Sequence, residues 1–323
     1  MINFLIARII QIPITLVIIL CITFFLIHAA PGDPVASLAG DFVTKEYRDL
    51  IIKHYELDKP LTIQALIYFK NIFTGDFGTS YYFKDSVLNV IGSRIIPTLL
   101  LVIPSIVISS FLGIYLGFLS ARSSTVLSRI SIPVTSIIVT SIPTFWLGYL
   151  LILFFSIKLN IFPIQGITNP RHSLEGLYYY VDIIFHLFLP LLTMIISQLA
   201  QVILLLRQKL IYEISLPYFR TAQSKGLSYR KAIINHSLQN AILPVITVAG
   251  NRFSFLITGS ILTETVFAWP GLGRLMIQAI EVRDYPLVLG ILFILSVIVM
   301  VLNLLTDLVY TLIDPRITFK SDG

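Results

Sequence analysis

Residues 207–240 read RQKLIYEISLPYFRTAQSKGLSYRKAIINHSLQN, a polar, basic island set between two apolar runs, Ile183 to Leu206 and Pro244 to Val266. The runs on either side decide the class of fold. A hydrocarbon core about 30 Å thick is crossed by roughly 20 helical residues, and both runs reach that length. Four more do the same: Ile9 to Ala30, Pro97 to Leu119, Ser131 to Ile157 and Leu287 to Ile313. The chain is therefore expected to be an all-α integral membrane protein with six transmembrane helices. Composition agrees, at 56% hydrophobic, 12% charged and a mean hydropathy of +0.88, whereas soluble domains carry about 25% charged residues. The alternating strands of a membrane barrel are missing from the pattern.

Lysine and arginine set the orientation, because they gather on the cytoplasmic side of a bilayer. With the N-terminus inside, the cytoplasmic segments are 1–8, 120–130, 207–243 and 314–323. They hold eleven basic residues against Glu213, Asp314 and Asp322, a net charge of +8. The opposite face holds eleven basic and thirteen acidic residues. Both termini are expected in the cytoplasm. The pI of 9.3 follows from this asymmetry, and no nucleic-acid partner is implied.

The first run ends near His28, Ala29 and Ala30 but exceeds the roughly 7–15 residues of a signal-peptide core, so it reads as a retained anchor. The lone Cys21 lies inside it and allows no disulfide framework. Residues 31–96 are the one long excursion beyond the membrane. There Tyr47, Leu50, Ile51, His54 and Tyr55 share one helical face, with Thr44 placed to cap it and Pro60 to follow. A second short helix is predicted over Thr62 to Phe73, ending at Gly75, with Gly78 in the turn beyond. The segment is either a packed cap or a docking surface.

Inside the island, Ser215 stands as an N-cap with Pro217 in the first turn, where its missing N–H costs nothing. Tyr218 to Lys225 make about two turns, and Gly226 suits the position just past the helix, where a positive φ meets no Cβ clash. Ser228 caps a second helix over Tyr229 to Ile242. Asn240, Leu243 and Pro244 form the hinge at which that helix bends into the fifth span. Two turns are marginal in water and need something to pack on. Tyr218 and Phe219 are expected to be exposed for a pocket on a partner, and Arg220 and Lys225 to suit an acidic or polar socket. The plain alternative is an ordinary basic loop.

Together these residues resemble the inner-membrane permease subunits of ATP-binding-cassette importers, specifically the dipeptide, oligopeptide and nickel group. The family's pattern Tyr-x-Arg-Thr-Ala-x-x-Lys-Gly-Leu is met by Tyr218, Arg220, Thr221, Ala222, Lys225, Gly226 and Leu227. His236, Leu238, Asn240, Ala241, Leu243 and Pro244 meet the later His-x-Leu-x-Asn-Ala-x-Leu-Pro. Pro31 to Pro34 (PGDP), Glu264 to Gly273 (ETVFAWPGLG), Arg283 to Pro286 (RDYP) and Asp314 to Arg316 (DPR) match other family segments.

The resemblance implies a type-I importer permease fold in a prokaryotic inner or plasma membrane. Its divisions are 1–94 (anchor and extracytoplasmic segment), 95–314 (permease domain) and 315–323 (tail). It implies a heterodimer with a second permease, two cytoplasmic ATPase subunits and an extracytoplasmic substrate-binding protein, for which the 31–96 excursion is a docking surface if it is not a packed cap. The cargo would be peptides or related small solutes, including metal chelates such as nickel. The Tyr218–Gly226 helix, with Phe219, would dock in a groove on the ATPase. Two departures stand out. Arg220-Thr221-Ala222 replaces the Glu-Ala-Ala of importers generally, and fourteen residues separate Gly226 from Ala241 where nine are usual.

The chain has no GxxxxGK[ST] phosphate loop, so ATP binding is expected elsewhere. No catalytic residue, cofactor or metal site is expected either, since the five histidines lack metal-ligand spacing. Charge inside a bilayer is costly and faces protein or water. Arg252 and Asp307 lie at matching depths of about 12 and 10 Å from the inner ends of their spans, which predicts a pair near the cytoplasmic mouth. Thr135, Ser136, Thr140, Ser141, Gln198, Gln201, Ser254, Thr258 and Thr263 are candidates to line a path, unless their polar groups bond their own helices. Pro143 and Gly148 are expected to kink the third span, and Gly113 with Gly117 to mark close helix packing. A secondary transporter would be expected to carry several intramembrane carboxylates, and only Asp307 qualifies. An intramembrane enzyme would need paired catalytic groups at one depth, and none is evident.

Overall fold

The computed structural model describes residues 2–29, 52, 58–123, 125–171 and 175–313. Among them all regular structure is helical, apart from an isolated bridge between Thr79 and Ser86. In chain order the helices are α1 (Ile2–Ala29), α2 (Leu61–Phe73), α3 (Val87–Arg122), α4 (Val126–Thr140), α5 (Thr144–Leu151), α6 (Leu177–Ser215), α7 (Pro217–Ser224), α8 (Tyr229–Ala232), α9 (Leu238–Val266), α10 (Leu272–Glu281) and α11 (Tyr285–Ile313). One π-helical stretch, Ile152–Lys158, continues α5, and another, Ile233–Ser237, joins α8 to α9.

Among the described residues five of the six apolar runs lie in one continuous helix each, and the third is broken into two. Three helical stretches, Val87–Arg122, Leu177–Ser215 and Tyr285–Thr306, are individually long and apolar enough to cross a bilayer. Their outward faces carry large apolar side chains such as Phe111 and Tyr115, and Leu127 of α4 is 79% exposed. Such surfaces are tolerated against lipid and not against water. The third predicted span departs from expectation. Instead of one kinked helix, α4 and the α5 stretch meet at 101°. The break sits at Pro143, whose ring and missing N–H cannot continue α4, and which stands before α5 at φ −58°, ψ 134°. Gly148 does not kink α5. It makes room for the Phe267 ring, 3.2 Å from where a Cβ would stand.

The described residues form two compact units, one within residues 1–98 and 270–301, the other within 99–269 and 302–313. In the first, Phe24 of α1 packs on Ala65, Tyr68 and Phe69 of α2 and on Leu289. The predicted short helix is therefore present, closing at Gly75 with φ +83°; the one expected around Tyr47–Tyr55 lies outside the described residues. Asp284 organises the rest of this unit from a fully buried position. One carboxylate oxygen accepts Ser80 Oγ–H at 2.5 Å and the Tyr82 N–H at 3.0 Å, while the other caps α11 by accepting the Leu287 N–H at 3.2 Å.

In the second unit α3 lies on α6 through Gly113 and Gly117, as the GxxxG spacing predicts. Beside this seam, Gln198 donates to Ser105 Oγ at 3.1 Å and accepts from Ser109 Oγ at 3.2 Å, all three buried. Gln198 is thus a bolt between helices, whereas Gln201 is exposed. A Cβ on Gly113 would come within 2.5 Å of Val202 Cγ1, whereas one on Gly92 meets nothing within 4 Å. Gly113→Ala is accordingly expected to cost about 1–3 kcal/mol, and Gly92→Ala to be neutral or slightly stabilising. Thermal unfolding of the two variants in detergent checks the difference.

Candidate functional site: the helical island after α6

Helix α6 ends at Ser215, and the extended Leu216 (φ −74°, ψ 152°) turns the chain into α7. Leu216, not Ser215, is therefore the N-cap. The Ser215 hydroxyl instead donates back to the Tyr212 carbonyl at 2.6 Å. Pro217 occupies the first turn as expected. At the other end, Gly226 takes φ +86°. Its N–H reaches the Gln223 carbonyl at 2.9 Å, and the Leu227 N–H reaches the Ala222 carbonyl at 3.4 Å. These two bonds are the Schellman closure, which satisfies carbonyls that a helix end leaves bare. Ser228 precedes α8, making no side-chain cap bond.

The aromatic pair does not face outward. Phe219 is 2% exposed, buried with Ala222 among Leu206, Leu210, Ala232, Ile233, Ala241 and Val245. Full burial of such a side chain stabilises by about 1.5–3 kcal/mol, and Phe219 also meets Tyr229 edge-on at 5.6 Å. A two-turn helix needs a packing partner, and α7 finds it in the ends of α6 and α9. Tyr218 is half-buried and donates its hydroxyl to Glu213 Oε2 at 2.5 Å. Burial, then the bond to Glu213, raise its phenol above the ordinary tyrosine pKa. The face left to solvent is polar: Arg220, Thr221, Gln223, Ser224 and Lys225, with Gly226 beyond. Leu227 is half-buried against the same core. Arg207 Nε donates to Ser120 Oγ at 3.0 Å, tying the base of the island to α3.

The hinge residues sit differently from expectation. Helix α9 runs through Asn240, Leu243 and Pro244, and the irregular turn is the π-helical Ile233–Ser237 just before it. Of the path candidates, Thr140 and Ser141 both bond the Ile137 carbonyl, at 2.8 and 3.0 Å, at the corner before Pro143. Ser136 bonds the Ile132 carbonyl. Thr135 and Ser136 line a largely apolar cavity of about 250 Å³ among α3, α4 and α6. Thr263 is buried, with no partner for its hydroxyl among the described residues. Arg252, Ser254, Thr258 and Asp307 lie on helical backbone in α9 and α11, and their side chains fall outside the described residues. Glu213 was not singled out as functional by sequence reasoning. The signal was present, since it is the one acid in residues 207–243.

Comparison with known proteins places the chain. A model described as Binding-protein-dependent transport system inner membrane component matches residues 110–319, and its N-terminal counterpart matches residues 1–102. A probable peptide ABC transporter permease protein of Sinorhizobium fredii is 36% identical over 92% of this chain and 93% of its own. The oligopeptide transport system permease protein AppB of Bacillus subtilis is 35% identical over 96% of each chain. The glutathione transport system permease protein GsiC of Escherichia coli K12 is 36% identical over 99% of this chain and 100% of its own. A solved inward-facing structure of the MetNI methionine ABC transporter aligns with a TM-score of 0.56 at 15% identity, over 70% of this chain and 96% of that one. The fold is that of an ABC importer permease, a multi-pass inner-membrane protein. The chain belongs to the family of inner membrane components of binding-protein-dependent transport systems.

Since Gly226 has a positive φ and open space around it, Gly226→Ala is expected to cost about 1–2 kcal/mol through backbone strain alone, and Gly226→Asn less. Trypsin cleavage after Lys225 in the folded protein should accelerate in the alanine variant and stay near the native rate with asparagine.

Proposed function

We propose that this permease forms half of the transmembrane path of an importer for peptides or related small solutes, and that α7 is the element that receives work from a separate ATPase. The observation that carries the reading is the division of α7 into two faces. Phe219 and Ala222 anchor it to α6 and α9, while Arg220, Thr221, Gln223, Ser224 and Lys225 point outward on a helix closed at both ends. A partner that grips the polar face moves the anchored face with it. Orientation follows from charge: the basic island and both termini lie in the cytoplasm, where an ATPase can reach α7. The assembly is a heterodimer with a second permease, two ATPases below and a binding protein on the outer side. ATP hydrolysis belongs to the ATPase subunits. Peptide is favoured over nickel as cargo because the relatives named above carry peptide, oligopeptide and glutathione in their names. Arg252 and Asp307 remain a proposed pair near the inner mouth.

Co-purification tests the reading. ATPase subunits should be captured with the native chain and lost on deletion of residues 217–227 or on Gly226→Pro, with the second permease still bound. Uphill uptake of short peptides by vesicles holding the two permeases and no ATPase would overturn it. For the intramembrane pair, Arg252→Ala and Asp307→Ala together should impair uptake less than the sum of the single changes, because the second loss removes a partner already gone; additive losses would dissolve the pair.

A further inference from the structure

Glu213 is surrounded in sequence by basic residues, yet its carboxylate is turned onto the island itself. Its Oε2 accepts the Tyr218 hydroxyl at 2.5 Å and lies 3.4 Å from Asn240 Nδ2, which is also 3.5 Å from the Tyr218 oxygen. The three residues come from three elements: the last turn of α6, the first turn of α7 and the first turn of α9. The rest of the α7 seat is Phe219 and Ala222 in an apolar cluster, with Phe219 edge-on to Tyr229. Apolar contact resists separation but has no direction, so a two-turn helix held by it alone can roll and slide. A hydrogen bond to a carboxylate is directional and stronger than one between neutral groups. The packing therefore fixes how far α7 stands from the bundle, and the polar knot fixes its rotation.

Resting on the reading of α7 as the element an ATPase grips, we propose that Glu213, Tyr218 and Asn240 are positioning residues that lock α7 to α6 and α9 at once, so that one displacement of α7 reaches both spans. Without the knot, a pull on the polar face turns α7 in its seat and is lost before it reaches the bundle. Glu213 supplies the acceptor, Tyr218 the short bond from α7, and Asn240 the tie to α9.

Spin-label distances in the assembled transporter test this without knowledge of the cargo. In a Cys21→Ser background, which removes the native thiol, labels go on the exposed sites Ser224→Cys with Gln208→Cys, and Ser224→Cys with Gln239→Cys; because Ser224 lies on the face the ATPase is proposed to grip, only labelled pairs that still capture ATPase are read. Distances are read without nucleotide and after trapping with ATP and vanadate. The native chain should keep one distance in each pair through both states. Tyr218→Phe, which keeps the ring, should add a second distance on trapping, with the displaced population raised about tenfold by loss of a bond to a charged group. Glu213→Gln should do the same, and adding Asn240→Asp, which returns one carboxylate and one amide to the knot with the Tyr218 hydroxyl in place, should restore the single distance. If Tyr218→Phe does not assemble, Glu213→Gln alone carries the same test. A single native distance in the variant, with ATPase bound and trapped, overturns the lock. A displacement that the exchange leaves uncorrected assigns the effect to packing and overturns it equally. Failure of the native chain to capture ATPase would instead count against the coupling reading on which the lock rests.

Discussion

Hydrocarbon offers no partner to a backbone N–H or C=O, so every peptide group at membrane depth must be bonded within its own segment. That constraint makes the chain helical wherever it is apolar for long enough. At Pro143 one helix has ended and another starts at about a right angle, whereas Pro133, Pro190 and Pro244 are carried inside helices. Hydroxyls follow the same rule. Ser105, Thr140, Ser141, Thr193 and Ser296 each donate to a carbonyl three or four residues back. A polar residue in such a helix is therefore no guide to a wet path until its own helix has been asked for the partner.

Where the chain leaves the bilayer the constraint relaxes, and the island is built by different means. Its short helices cannot stand alone, so they are held by closure and by packing. The Schellman bonds at Gly226 end α7, Leu216 starts it, and Phe219 seats it on α6 and α9. Polar residues are then free to cover the outside. The same logic runs through the other unit, where Asp284, fully buried, gathers Ser80, Tyr82 and the start of α11 on one carboxylate.

The features legible in the sequence were those with a local physical cause. A run of about 20 apolar residues means helix in lipid, and among the described residues five of the six runs form one helix while the third breaks at Pro143. Gly226 and Gly75 were readable because a positive φ has few tenants, and both take one. Pro217 fell in a first turn for an equally local reason. What failed depended on partners distant in the chain. Tyr218 and Phe219 looked like docking groups because two turns of helix do not reveal which face another helix covers. Phe219 is buried by Leu206, Ala232 and Ala241, contacts that no window around position 219 contains. Ser215 lost the capping position by one residue because its hydroxyl found the Tyr212 carbonyl first. The irregular turn fell at Ile233–Ser237 rather than at Pro244, which α9 carries inside it.

The inward turn of Phe219 alters how the island has to be understood mechanically. A helix with exposed aromatics would be a plug: its affinity for a partner would come from those rings, and its hold on the permease from the backbone on either side. With the rings inward, the hold on the permease is the stronger one, and the outward face offers arginine, lysine, glutamine and hydroxyls, which bind through hydrogen bonds and charge. Such contacts are directional and exchange with water at modest net cost. On the proposed coupling role, a partner engages and releases the outer face while the inner face stays seated. The replacement of Glu-Ala-Ala by Arg220, Thr221 and Ala222 fits this division: the alanine kept at 222 is the residue that packs inward, and the two that differ are the two that face out.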